Sequence, residues 1–342
     1  MRKIKVVVVG YGYWGPNLVR NILLNSEYDL VGVVDSDPVR SRIASSAHGI
    51  STYESVSEIR DLAKIDLAVI ATRPTSHVKL VELFASNGVS CLITKPSGIS
   101  RFDAITMQNY SKSYGIKIFC DFTYHFSPYI NFLLEDERVM AIIREMREYV
   151  SYRTALGIIQ SDVDVIADLA VHDIYILKLL KGSIPQHVNA LSLGVDLGKQ
   201  IHSAFISLRW EDGFSAALHV SWKAPKKTRQ ISIISDSDGV ILEELNSAAP
   251  LQLVKITPGF SNLTQLDPAI LKSRNESYTL GNTELPIIVP SEALANEFTQ
   301  LVRALRSESE EFPSIDDAVD IWSVVEAIRH SMASGGSYIN VC

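Results

Sequence analysis

Three groups of residues in this chain have the types and spacing that chemistry requires. Lys95 stands in TKPSG, Asp168 and His172 in DLAVHD, and Gly10, Gly12 and Gly15 in GYGYWG. Histidine has an unperturbed pKa near neutrality, which suits it to take and return a proton. Asp168 and His172 are four residues apart and so share one face of a helix. They sit among Ile166, Leu169 and Ile176, where two ionisable groups are costly unless paired or bordering a polar cleft. The alternative is a satisfied histidine–aspartate hydrogen bond inside a core. Asp173 follows His172, but no third ligand stands at metal-like spacing, so no metal is expected. Lys95 lies just past an apolar run and is held by Pro96, which aims it into a cleft; the alternative is a surface lysine at a turn.

The glycines raise a different chemistry. In KVVVVGYGYWGPNLVRN a valine run gives way to Gly10, Gly12 and Gly15 and then to a helix-like pattern. The spacing puts one glycine at a tight turn, one against a pyrophosphate and one at the helix–strand contact. The N–H groups and dipole of the helix start would face phosphates, with Tyr13 and Trp14 beside them. Pro16 suits a first helical turn. A plain strand–turn–helix is the alternative. Against it, DLVGVVD ends at Asp35, 20 residues after Gly15, where a carboxylate binds an adenosine ribose and repels a 2′-phosphate. NAD is therefore the expected cofactor and NADP is disfavoured.

These residues need elements to position them. Strand-like runs at 29–35, 65–72, 89–94 and 116–122 alternate with helix-like stretches at 38–47, 77–88 and 101–114. That rhythm describes a doubly wound parallel sheet, a Rossmann domain over residues 1–122. Its ligands belong beyond the carboxyl ends of the strands, where Asp35, TRPTSH and TKPSG fall. His77 either meets the cofactor or opens its helix. Residues 123–342 read as a substrate-binding and oligomerisation α+β domain with a large open, mostly antiparallel sheet. Its expected parts are a strand at 139–153, a helix at 164–182, and β-like runs joined by Asp-Gly turns. A polar irregular stretch over 246–290 and helices at 292–307 and 315–333 complete it.

Composition narrows the class. The chain has 342 residues, 46% of them hydrophobic, and a net charge of −7, with a pI near 5.7. The length favours two domains, and the acidity argues against nucleic-acid binding. Cys91, Cys120 and Cys342 are scattered, so no disulfide framework or zinc site is implied. The apolar run Val6–Val9 is too short for a signal peptide and no segment is long enough to span a membrane. A cytoplasmic location is the expectation.

In combination, GYGYWGPNLVRN, ATRPTSH, TKPSG, DLAVHDI and HVSWKAPKKTRQISI resemble the glucose–fructose oxidoreductase and inositol dehydrogenase family (Gfo/Idh/MocA), with a nucleotide-sugar-like character. The resemblance implies an NAD-dependent dehydrogenase or reductase acting on a hydroxyl-bearing carbon of a sugar, here a nucleotide-linked sugar, in a homodimer or homotetramer. It implies that Thr72, Pro74, His77 and Lys95 line the nicotinamide side. Lys95 would orient substrate and stabilise charge on the reacting oxygen, and His172 would act as general base in oxidation and acid in reduction. Asp168 would hold substrate hydroxyls or orient His172, and Tyr124 and Arg153 would touch substrate. Arg153, Lys226, Lys227 and Arg229 are candidates for a substrate phosphate or carboxylate. Two departures stand out: Thr94 replaces the family's glutamate, and Tyr175 replaces an acid common in its helix. Oxidation of free inositol or a monosaccharide, and a dinucleotide-binding sensor without turnover, are the alternatives.

Overall fold

A computed structural model describes residues 2–157, 159, 161–193, 200–258, 278–309 and 311–342. In chain order its first elements are β1 (Ile4–Val9), α1 (Gly15–Leu24), β2 (Tyr28–Val34), α2 (Pro38–His48), β3 (Thr52–Tyr53), β4 (Leu67–Ile70), α3 (His77–Ala85), β5 (Ser90–Thr94), α4 (Arg101–Tyr114) and β6 (Ile118–Asp121). There follow α5 (Pro128–Glu135), α6 (Glu137–Arg144), β7 (Glu148–Leu156), a π-helical turn (Ile166–Ala170) and α7 (Val171–Lys181). The rest is β8 (His187–Ser192), β9 (Ser203–Arg209), β10 (Ser215–Ser221), β11 (Lys223–Ile234), β12 (Asp238–Glu243), β13 (Leu251–Pro258), β14 (Tyr278–Glu284), α8 (Ala293–Leu305), α9 (Ile315–Ala333) and β15 (Ile339–Asn340).

The chain forms two compact units, Met1–Ser127 with Gln160–Ile176 and Pro290–Glu326, and Pro128–Ile159 with Leu177–Val289 and Ala327–Cys342. The packing thus places residues 160–176 and 290–326 with the first unit, where the sequence reading set a single boundary after residue 122.

The first unit holds a six-stranded parallel sheet in the order β3-β2-β1-β4-β5-β6. Its central strands are near-continuous runs of Val, Ile and Leu because a parallel sheet is covered on both faces. Strand order reverses between β1 and β4, and the crevice at such a switch point is where these sheets bind ligands. Val6, Val8, Leu67, Val69 and Leu92 share one core cluster with Leu18, Val19 and Ile22 of α1. Phe298, Leu301 and Val302 of α8 complete that cluster, and the Tyr28 hydroxyl donates to the Phe298 carbonyl at 2.7 Å.

The second unit holds a nine-stranded sheet, β14-β13-β12-β11-β7-β10-β9-β8-β15. It is antiparallel except for β7 with β10. On β9, Ala204, Ile206 and Leu208 are buried, the alternation of a sheet with one covered face. On the other face Leu191, Phe205, His219 and Tyr152 stand in register across β8, β9, β10 and β7. The Phe205 and His219 rings stack at 4.3 Å.

The expected strand over 139–153 is instead a helix followed by a strand, α6 and β7. Asp136 caps α6 by accepting from the Arg138 and Val139 N–H groups, and Val139 and Ile143, four apart, are its buried residues. Part of the expected irregular stretch 246–290 is ordered as β13 and β14; residues 259–277 lie outside the described residues. The expected helix 164–182 opens with the π turn, in which the Ala167 N–H donates to the Asp164 carboxylate at 2.9 Å. No described helix is long and apolar enough to cross a membrane.

Candidate active site and dinucleotide loop

The glycine loop follows β1 at the switch point. Gly10 has φ +101°, and a Cβ there would lie 2.5 Å from the Ala71 carbonyl oxygen. A Cβ on Gly15 would lie 2.4 Å from the Gly10 carbonyl oxygen. Both therefore need glycine to bring the loop against β4 and α1 against β1. Above Gly12 a Cβ would meet only the Arg40 guanidinium at 3.8 Å, so that surface is open to a ligand. Trp14 is the N-cap of α1, with no side-chain cap and no acidic residue in the first turn, which leaves the positive end of the helix suited to phosphate. Tyr13 is 85% exposed.

Asp35 lies past the end of β2, 7% exposed. Its Oδ2 accepts the Tyr11 N–H at 2.7 Å and Oδ1 the Asp37 N–H at 2.9 Å. These bonds fix the carboxylate, and each oxygen keeps a second lone pair for a ribose hydroxyl. Open space over Gly12, an uncapped helix start and a fixed carboxylate fit a dinucleotide.

Lys95, past the end of β5, is brought to the π turn. Its Nζ donates to Asp168 Oδ1 at 2.7 Å and to the Asp168 carbonyl at 2.8 Å. Asp168 is thus an ion-pair partner of Lys95, a role the sequence reading did not give it. Single π turns inside α-helices recur at functional sites because they re-aim side chains and backbone groups. His172, half-buried one turn on, meets the Tyr124 ring edge-on at 5.1 Å. Lys95, Tyr124, Asp168 and His172 therefore form one cluster that pairs a cation, a carboxylate and an imidazole.

The loop after β4 is an internal brace. Thr72 Oγ1 shares a hydrogen bond with Ser76 Oγ at 2.7 Å, and Pro74 opens a 3-10 turn. His77 starts α3 and has no exposed surface. Its Nε2 donates to the Thr72 carbonyl at 3.1 Å and its Nδ1 accepts the Gly98 N–H at 3.4 Å. Of the two roles open to it, the helix-opening one matches this geometry, since neither ring nitrogen is left for a ligand. Burial lowers its pKa to about 4. Thr94 is buried and donates to the Ile70 carbonyl at 3.1 Å, so its hydroxyl ties β5 to β4. Tyr175 stacks on Phe122 at 4.3 Å and 7° and meets His125 Nδ1 at 3.0 Å; burial raises its pKa.

The basic candidates belong to the second unit. Arg153 is buried, 3.5 Å from Glu244, and Arg229 lies 3.5 Å from the other oxygen of that carboxylate. Lys226 offers its carbonyl to Thr154 Oγ1 at 3.1 Å.

Sequence reasoning missed two partners of the loop. Arg40 lies 3.9 Å from Asp35 and 3.5 Å from Asp37. Asp121, at the end of β6, accepts the Trp14 indole N–H at 2.8 Å. The rule that ligands gather beyond strand ends would have found Asp121 had it been applied to β6 as well.

Fold and loop define a Rossmann sheet with a glycine-rich loop of the dinucleotide-binding type. Residues 4–122 match the model of the oxidoreductase family with an NAD-binding Rossmann fold, Gfo/Idh/MocA. D-apiose dehydrogenase of Paraburkholderia graminis is 24% identical over 68% of this chain, and the match spans 64% of that protein's length. Inositol 2-dehydrogenase of Rhizobium meliloti is 22% identical over 96% of this chain and 97% of its own. In structure, UDP-N-acetylglucosamine 3-dehydrogenase from Acidithiobacillus ferrooxidans superposes with a TM-score of 0.80 at 20% identity, covering 98% of this chain and 99% of that one.

Proposed function

We propose that this protein is an NAD-dependent oxidoreductase acting on a hydroxyl-bearing carbon of a sugar, and that the sugar is nucleotide-linked. The observation that carries the reading is the Lys95–Asp168 pair at 2.7 Å, with His172 one helical turn away. Gly10, Gly12 and Gly15 with the start of α1 would hold the pyrophosphate, and Asp35 the ribose. The chemistry such a cofactor supplies is hydride exchange with the carbinol carbon. Lys95, steadied by Asp168, donates a hydrogen bond to the reacting oxygen and offsets its developing negative charge. His172 takes the hydroxyl proton in oxidation and returns it in reduction. Asp35 supports NAD over NADP because a second anion would face a 2′-phosphate. The similarity to UDP-N-acetylglucosamine 3-dehydrogenase supports the nucleotide-linked substrate. Similarity to inositol 2-dehydrogenase and D-apiose dehydrogenase supports the second reading, a free cyclitol or monosaccharide.

The test is turnover over UDP-sugars, free aldoses and inositols with NAD and NADP, followed by His172→Ala on the best substrate. The variant should lose roughly 10²–10⁴-fold in kcat while binding NADH like the parent. Full activity in His172→Ala would remove the proton-transfer assignment. Tight NADH binding with no turnover of any sugar would favour a sensor.

A further inference from the structure

Beneath the glycine loop lie two carboxyl groups that the proposed chemistry does not use. Asp121 is 2% exposed. Its Oδ2 accepts the Trp14 indole N–H at 2.8 Å and its Oδ1 accepts the Thr123 hydroxyl at 2.6 Å. Glu297 of α8 is wholly buried, and neither of its oxygens meets an N–H or O–H donor among the described residues. Two neighbouring carboxylates out of water cannot both ionise, so one keeps its proton. Burial first, then the charge of Asp121 and a hydrogen bond to it, hold Glu297 well above the usual carboxylate range. The other groups that feel its charge are Tyr28 and Tyr175, phenols whose pKa burial raises. They stay neutral and offset nothing.

The loop is therefore held at two points. The Tyr11 N–H is tied to Asp35 and the Trp14 indole to Asp121, with the open surface of Gly12 between them. We propose that Glu297 is a positioning residue for dinucleotide binding: as a neutral acid it donates to Asp121, which keeps that carboxylate anchored on the Trp14 indole and so sets the shape of the phosphate loop. Its neutrality also keeps a second negative charge away from the place where phosphates would sit. The inference rests on the dinucleotide reading of the loop.

Three measurements on the full chain test it. Infrared difference spectra at pH 7 should contain a protonated carboxylic-acid carbonyl band in the parent that is absent in Glu297→Gln. The Trp14 indole N–H resonance, one of four and assigned by its loss in Trp14→Phe, should hold its place in Glu297→Gln, whose amide still donates. It should move in Glu297→Ala. NADH affinity should stay within about threefold of the parent in Glu297→Gln and weaken about tenfold in Glu297→Ala and in Trp14→Phe, the scale of one hydrogen bond to a charged group. Absence of the acid band would overturn the proposal. So would an unmoved indole resonance and parental NADH affinity in Glu297→Ala; if that variant does not fold, parental affinity in Trp14→Phe has the same force. A parent that binds no dinucleotide would instead sink the reading of the loop, while band and resonance still decide the carboxyl pair.

Discussion

Replacing Lys95 with methionine removes the ammonium and keeps most of the side-chain length. An ammonium has three N–H donors. Two are taken by Asp168, at 2.7 Å to the carboxylate and 2.8 Å to the carbonyl, which leaves the third for a substrate oxygen. A preorganised donor aimed at developing charge contributes about 10²–10³ in kcat, roughly 2.7–4 kcal/mol. The ion pair itself is partly open to water, its side chains 25% and 16% exposed, so solvent screening limits its contribution to stability to roughly 1 kcal/mol. At this chain size that corresponds to a fall in Tm of about 1–2 °C. Lys95→Met should therefore lose two to three orders of magnitude in kcat (about 10²–10³) while staying folded at the assay temperature. Steady-state NADH absorbance gives kcat, fluorescence titration gives NADH affinity and circular dichroism gives Tm. A kcat within tenfold of the parent would refute the role of the third donor. So would a loss of turnover that merely follows unfolding.

Asp35→Ala should narrow a preference for NADH over NADPH of at least ~10-fold, about 1.4 kcal/mol, in fluorescence titrations; equal affinities in the parent would refute the ribose contact. His77 is neutral when folded, and its pKa falls from 6.5 to about 4 on burial. Stability is therefore complete above pH 6.5 and is lost as pH drops from 6.5 towards 4, by at most roughly 3 kcal/mol. Urea unfolding should have a shallower pH dependence in that window for His77→Gln, and identical slopes would exclude His77 as the source. The row Leu191, Phe205, His219 and Tyr152 on the sheet of the second unit should be a contact between copies of the chain. Light scattering should give a homodimer or homotetramer for the parent and a smaller species for Phe205→Glu with Tyr152→Glu; a monomeric parent at micromolar concentration would count against it.

What the sequence disclosed depended on whether the signal was local. The glycine spacing and Asp35 carry their meaning within 35 residues, and the structure places them around one loop. Lys95 and Asp168 each stood out, but their pairing did not, because 73 residues separate them. Asp121 looked like any acid closing a strand. Glu297 sits in ALANEF, where a glutamate reads as the solvent side of an amphipathic helix; only the fold turns it inward. The valines and isoleucines of 139–150 drew a strand assignment, although the DER sequence ahead of them is a helix cap. In β13, lysine, glutamine and threonine between apolar residues hid an edge-side strand of the second sheet.

The helix that closes the first core carries a consequence for synthesis. Tyr28 and Phe298, hydrogen-bonded in that core, are 270 residues apart. On the ribosome, β1 and α1 emerge long before α8, so Leu18, Ile22 and their neighbours wait uncovered while most of the chain is made. Such transiently exposed apolar surface invites aggregation and chaperone capture. The segment 4–122 that matches the family model is thus not a unit of folding. A fragment cut at residue 127 would lack the lid of its own core, and it should refold only when a peptide spanning α8 is supplied in trans.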